Sequence, residues 1–149
     1  MRRVALFLTS LVVMVVVAAV VALAANFSGT NQADNISGGA NSDKIAGSAR
    51  NDSLNGRGGN DEVYGDSGDD SLNGNGGTDY VEGGKGADNA RGGSGNSDLV
   101  NVVDGTTSDT ASGGTGSNDT CVIDRIETQV ISFQDTVDKS CEKVVRAVF

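Results

Sequence analysis

An aspartate stands at every ninth residue from Asp34 through Asp43, Asp52, Asp61, Asp70 and Asp79 to Asp88, without a slip. Two residues after each comes a small apolar side chain: Ile36, Ile45, Leu54, Val63, Leu72, Val81 and Ala90. Glycine follows two further on, at Gly38, Gly47, Gly56, Gly65, Gly74, Gly83 and Gly92, with Gly29 leading the series. A carboxylate set in glycine-rich backbone offers only oxygen donors, from side chains and from carbonyls. Such a set suits a hard cation, and Ca²⁺ tolerates its flexible geometry where Mg²⁺ demands a tighter octahedron.

The stretch is dominated by Gly, Asn, Asp and Ser, a composition that often stays disordered. Periodicity argues otherwise. Sixteen aspartates fall in the 125 residues after Ala24. Six further hits at one fixed offset would arise by chance with a probability on the order of 10⁻⁵, whereas a repeat architecture requires them. The clearest copy, Gly83-Gly84-Lys85-Gly86-Ala87-Asp88-Asn89-Ala90-Arg91, fits GGxGxDxUx with U apolar. Its glycines permit positive φ and close backbone approach, and only x-U-x remains for a short strand whose central side chain turns inward. The copies closing at Asp61, Asp70 and Asp79 keep the first and fourth glycines. Earlier copies decay: the fourth position is Asn41 before Asp43, Arg50 before Asp52 and Gln32 before Asp34. Asparagine visits the left-handed region readily, arginine at a cost, and the Asp34 copy reads as an edge. Beyond Asp88 the spacing stretches. Gly92 to Asp98 and Gly113 to Asp119 each carry one extra residue, with Asp104 and Asp109 irregular between them. Residues 99–120 read as a continuation with insertions, capable of one weak site at best.

These residues make the chain resemble the RTX, or haemolysin-type, calcium-binding repeat family over about residues 29–119. The resemblance implies an all-β, right-handed parallel β-roll in which two nonapeptides form one turn. Apolar residues fill the interior, and Ca²⁺ sits between loops 18 residues apart. It assigns Asp43, Asp52, Asp61, Asp70, Asp79, Asp88 and Asp98 as metal ligands, with backbone carbonyls completing each shell. Asp61 with Asp79 and Asp70 with Asp88 should form the best sites. Asp43/Asp61, Asp52/Asp70 and Asp79/Asp98 should be less complete.

Around the repeats the chain divides into further segments. Met1-Arg2-Arg3, an apolar run from Val4 to Val21 and Ala22-Leu23-Ala24-Ala25 read as a helical signal peptide over 1–24, cut after Ala24. A run of about 20 apolar residues can also span a bilayer, so an uncleaved anchor is the alternative. Residues 25–33 form a lead-in, 34–98 the calcium-binding repeats, 99–120 the irregular continuation and 121–149 a disulfide-closed C-terminal cap. In that cap Val130-Ile131-Ser132-Phe133 and Val144 to Phe149 read as short strands. Two cysteines, Cys121 and Cys141, favour one disulfide in an exported chain, against two unpaired buried thiols. Closing a loop of that length contributes roughly 3 kcal/mol in the chain-entropy picture. Family members often carry a C-terminal export signal; an N-terminal signal here departs from that pattern.

Several functions are disfavoured. Without Arg2 and Arg3 the charge balance is 20 acidic against 9 basic residues, which repels nucleic acid. The chain has no histidine, so HExxH, Ser-His-Asp and Cys-His sets are absent, and no CxxC offers zinc a home. The adjacent Asp69-Asp70 lacks the separated carboxylates of a glycosidase. The expectation is a non-enzymatic, secreted protein with Ca²⁺ as its cofactor, coupling ion binding to folding. The alternative is a membrane-anchored structural or adhesive component facing outside, stiffened by calcium, with a cell-surface or matrix partner. Membrane association then depends on retention of the N-terminal segment.

Overall fold

Strands form here because one inward residue per nonapeptide is all that each short x-U-x segment must bury, and Ile, Leu and Val suit a pleated surface. The computed structural model describes residues 24–105, 108–125 and 136–148. The segment expected to be a signal or anchor lies outside these residues up to position 23, as does the expected strand at 130–133. Among the described residues no helix is long and apolar enough to cross a membrane.

Among the described residues thirteen strands follow one another: β1 Asn26–Ser28, β2 Asn35–Ser37, β3 Lys44–Ala46, β4 Ser53–Gly58, β5 Glu62–Ser67, β6 Ser71–Gly76, β7 Tyr80–Lys85, β8 Asn89–Gly93, β9 Leu99–Asn101, β10 Thr110–Gly114, β11 Thr120–Arg125, β12 Thr136–Val137 and β13 Lys143–Val148. Odd strands make a seven-stranded sheet ordered β1-β3-β5-β7-β9-β11-β13, and even strands a six-stranded sheet ordered β12-β10-β8-β6-β4-β2. Every pairing is parallel. The chain alternates between two facing sheets, the winding of a parallel β-roll.

Register follows the apolar position. Phe27, Ile45, Val63, Val81, Val100, Cys121 and Val144 stand in line across one sheet. Ile36, Leu54, Leu72, Ala90, Ala111 and Val137 do so across the other. From Ile45 to Cys121 these side chains form the core, with Phe27, Ile36 and Val144 partly buried at its ends. Shifting any strand by one residue would turn its apolar side chain outward, so burial pins the alignment. Two further core residues, Val102 and Ile123, lie inside as well. Their signal is the two-residue alternation Val100/Val102 and Cys121/Ile123, which widens the apolar interior toward the C-terminal end.

Loop insertions leave the pairing intact. Residues 99–120, read as irregular, supply β9, β10 and β11 to both sheets in the same parallel sense. Beyond them β12 and β13 add one strand to each sheet. Cys121 and Cys141 are joined, with their Cα atoms 5.8 Å apart. Cys121 takes the apolar position of β11, so the disulfide starts inside the core.

Outside, residues one turn apart stack on each other. Lys44 pairs with Glu62 at 2.9 Å and lies 4.4 Å over the Tyr64 ring, which in turn meets Tyr80 at 5.6 Å. These exposed contacts decorate the coil; its cohesion comes from within.

Candidate calcium loops

Each loop ends in an aspartate immediately before a strand, and the winding gathers these into two columns. Asp43, Asp61, Asp79, Asp98 and Asp119 precede strands of the seven-stranded sheet; Asp34, Asp52, Asp70, Asp88 and Asp109 precede strands of the other. The backbone N–H of each donates to Oδ1 of the next member of its column. These bonds, Asp34 to Asp52, Asp43 to Asp61, Asp52 to Asp70, Asp61 to Asp79, Asp70 to Asp88, Asp79 to Asp98, Asp88 to Asp109 and Asp98 to Asp119, measure 2.7–3.0 Å. The partners are 18 residues apart through Asp88, then 19 or 21. The structure therefore places all seven aspartates singled out by sequence in these columns, at the expected pairings.

It adds Asp109 and Asp119. The nine-residue rhythm conceals Asp109 because residues 99–108 separate it from Asp98 and break the count. The usable signal is the strand-like Asp-x-apolar triplet at Asp109-Thr110-Ala111, not the spacing.

The first oxygen of each carboxylate thus has a structural task, stapling one turn to the one before it. In Asp34 and Asp43 the second accepts a loop N–H, from Thr30 and Gly39, each at 2.6 Å; in seven later members it has no such task. Oδ2 of Asp52, Asp61, Asp70, Asp79, Asp88, Asp98 and Asp119 is buried without a hydrogen-bond partner. From Asp43 to Asp119 the column residues are no more than 5% exposed. An orphaned carboxylate oxygen in a low-dielectric site is costly unless a cation or a proton meets it.

A second acceptor lies close by. A Cβ on Gly56 would fall 2.3 Å from Oδ2 of Asp61 and 2.7 Å from the carbonyl oxygen of Gly74, one turn on. For Gly74 the same two contacts are Asp79 Oδ2 at 2.4 Å and Gly92 O at 2.6 Å, and for Gly92 they are Asp98 Oδ2 at 2.6 Å and Gly113 O at 2.7 Å. At Gly47, Gly56, Gly65, Gly74 and Gly92 alike, a carboxylate and a carbonyl oxygen face the bare side of the first glycine, and the carboxylate oxygen has no hydrogen-bond partner. That donor set fits Ca²⁺. Among the described residues no three acidic, cysteine or histidine side chains converge on one point. The loops offer carboxylates with backbone oxygens instead.

Glycine serves two separate ends in these loops. First-position glycines provide close approach and keep ordinary backbone angles. Positive φ occurs at the fourth position, as in Gly68 (140°) and Gly77 (132°), and at the second, where Arg57, Asp66 and Asn75 adopt 71–77°. Arg50 bears the strained angle at the fourth position (72°), as its place in the motif implied, but Asn41 does not use the left-handed region.

Burial and mutual repulsion act on the carboxylates together. Desolvation, opposed by the bond from Asp52 and reinforced by the charges of Asp88, Asp52 and Asp66, raises Asp70 to about 6. Burial, opposed by the bond from Asp61 and reinforced by Asp98 and Asp61, does the same to Asp79. Asp61, Asp88 and Asp98 are also raised, chiefly by burial. Because the folded values lie above the unfolded value of 3.8, protonation stabilises the metal-free coil. That contribution is full below about pH 4 and is lost as pH rises through about 6. Metal-stripped protein should accordingly gain β circular dichroism on acidification from pH 7.5 to 4.5, while Ca²⁺ affinity falls over the same range. A metal-free signal independent of pH would contradict this.

Asp69 and Asp70, adjacent in sequence, serve different partners. Asp70 sits in its column, whereas Asp69 accepts the N–H of Ala87 at 3.0 Å from the loop surface.

Parallel β-roll winding and loops with orphaned carboxylates define a calcium-binding solenoid. The family model for the RTX calcium-binding nonapeptide repeat, of four copies, matches residues 26–49, 37–72 and 64–99. Through residues 26–99 the chain belongs to that family. No curated protein and no solved structure matches it.

Proposed function

We infer that this is an exported, non-enzymatic calcium-binding protein whose loops take up Ca²⁺ between successive turns, with binding and folding coupled. The observation that carries the reading is the run of buried, partnerless Oδ2 atoms from Asp52 through Asp61, Asp70, Asp79 and Asp88 to Asp98. Bound Ca²⁺ supplies positive charge and a flexible oxygen coordination shell. The residues do the rest. Asp52, Asp61, Asp70, Asp79 and Asp98 fix their neighbouring turns through Oδ1 while presenting Oδ2, and the first glycine of each of these loops brings a carbonyl of the following turn alongside it. Every nonapeptide buries one apolar side chain, worth roughly 1.5–3 kcal/mol, against the ordering of nine residues of backbone. With repulsion added, the coil needs the ion to fold.

Export is supported by the apolar run Val4 to Val21 and by the Cys121–Cys141 bond, which suits an oxidising compartment. Outside the cell, millimolar calcium fills sites of 10⁻⁴–10⁻³ M affinity. Calorimetric titration of the purified chain should therefore show several ions bound per molecule, saturating in that range. A titration without heat or uptake would remove the reading.

A further inference from the structure

The carboxylate ladder does not stop at Asp119. Its backbone N–H donates to Oε2 of Glu142 at 2.7 Å, the bond that every earlier member makes to the aspartate one turn on. Glu142 immediately precedes β13, and the N–H of Lys143 donates to the Asp119 carbonyl at 3.1 Å, as that of Thr120 does to Asp98 at 2.8 Å. The likeness extends to the first glycine. A Cβ on Gly113 would meet the carbonyl oxygen of Ser140 at 2.8 Å, where one on Gly92 would meet that of Gly113. Ser140 and Glu142 thus hold the places of a loop's first glycine and closing aspartate.

Between them lies one residue in place of the usual four or five, and it is Cys141, bonded to Cys121. A glutamate in place of aspartate adds one methylene of reach where the loop is short. What is left over is oxygen. Asp119 is fully buried and its Oδ2 has no hydrogen-bond partner. That atom and the Ser140 carbonyl face the same bare side of Gly113, at 3.0 and 2.8 Å from the point a Cβ would take.

We propose that Asp119, the Ser140 carbonyl and Glu142 hold a terminal Ca²⁺ at the disulfide-closed end of the coil, one layer beyond the last glycine-rich loop. The site rests on the calcium reading above. The disulfide fixes it from both sides, since Cys141 lies between two of its donors and Cys121 begins two residues after the third. Glu142→Gln tests it, because the amide oxygen still accepts the Asp119 N–H while the charge is lost.

Calorimetric titration of the oxidised full chain with Ca²⁺ at pH 7.5 should give one ion fewer for Glu142→Gln than for the native protein. Glu82→Gln, on the outer face of β7, should keep the native number and so control for net charge. An unchanged number with an unchanged midpoint in Glu142→Gln overturns the terminal site. So does loss of every ion, which would assign Glu142 to holding the coil end alone. A native protein that binds no Ca²⁺ fails differently, by removing the calcium reading itself.

Discussion

Gly74→Ala should destabilise the calcium-loaded coil by about 3 kcal/mol or more, the upper range of overpacking costs, whereas Gly76→Ala, two residues along the same loop, should change it by less than about 0.5 kcal/mol. The added methyl at position 74 would lie 2.4 Å from Asp79 Oδ2, 2.6 Å from its Cβ and 2.6 Å from the Gly92 carbonyl oxygen. Two of those atoms belong to the stapling aspartate side chain and the third to backbone, so nothing there can yield without breaking the layer. At Gly76 the nearest atom is 3.5 Å away, ordinary contact, and the backbone is not left-handed. Denaturant unfolding in saturating Ca²⁺ compares the two directly. Equal effects would mean that first-position glycines do not carry the close approach described for them.

Asp79→Asn should act in opposite directions on the two forms of the protein. The amide oxygen can still accept the Asp61 N–H, bonded at 2.8 Å to Oδ1 in the native chain. The staple survives while the charge goes. Calcium affinity at that layer should fall at least tenfold, about 1.4 kcal/mol. The metal-free coil, relieved of a buried charge raised to about 6 by desolvation and by Asp98 and Asp61, should become more stable at neutral pH. Titration with Ca²⁺ and unfolding in chelator read the two effects separately. Loss of both together would show that the side chain is only a structural bracket.

Much of this architecture is legible in sequence because one period carries three residue types at once. Asp61, Val63 and Gly65 each mark a different layer of the coil, the loop, the core and the close approach, and none can drift without the others. The 18-residue pairing follows once two such units make a turn. Legibility fails where loops lengthen. Asp109, Asp119 and Glu142 continue the columns, but insertions around them shift the count, and the strands tolerate this because register is set by the inward side chain and not by loop length. Val102 and Ile123 escape the repeat for a related reason: they belong to a two-residue alternation that the nine-residue rhythm conceals. The motif also misplaces backbone strain. Its first glycine reads as conformational freedom yet answers to crowding, while Arg57, Asp66 and Asn75 take left-handed angles at the second position, where these copies replace the motif's glycine. Asp69 and Asp70 are inseparable by composition, and only winding shows that one is buried and the other faces outward.

Far-UV circular dichroism of the purified chain at neutral pH, first in EGTA and then in millimolar Ca²⁺, tests the central claim most directly. The account predicts a largely unfolded spectrum in chelator and a cooperative rise of β signal on adding calcium, reversed by further EGTA. A spectrum equally rich in β structure under both conditions would contradict it.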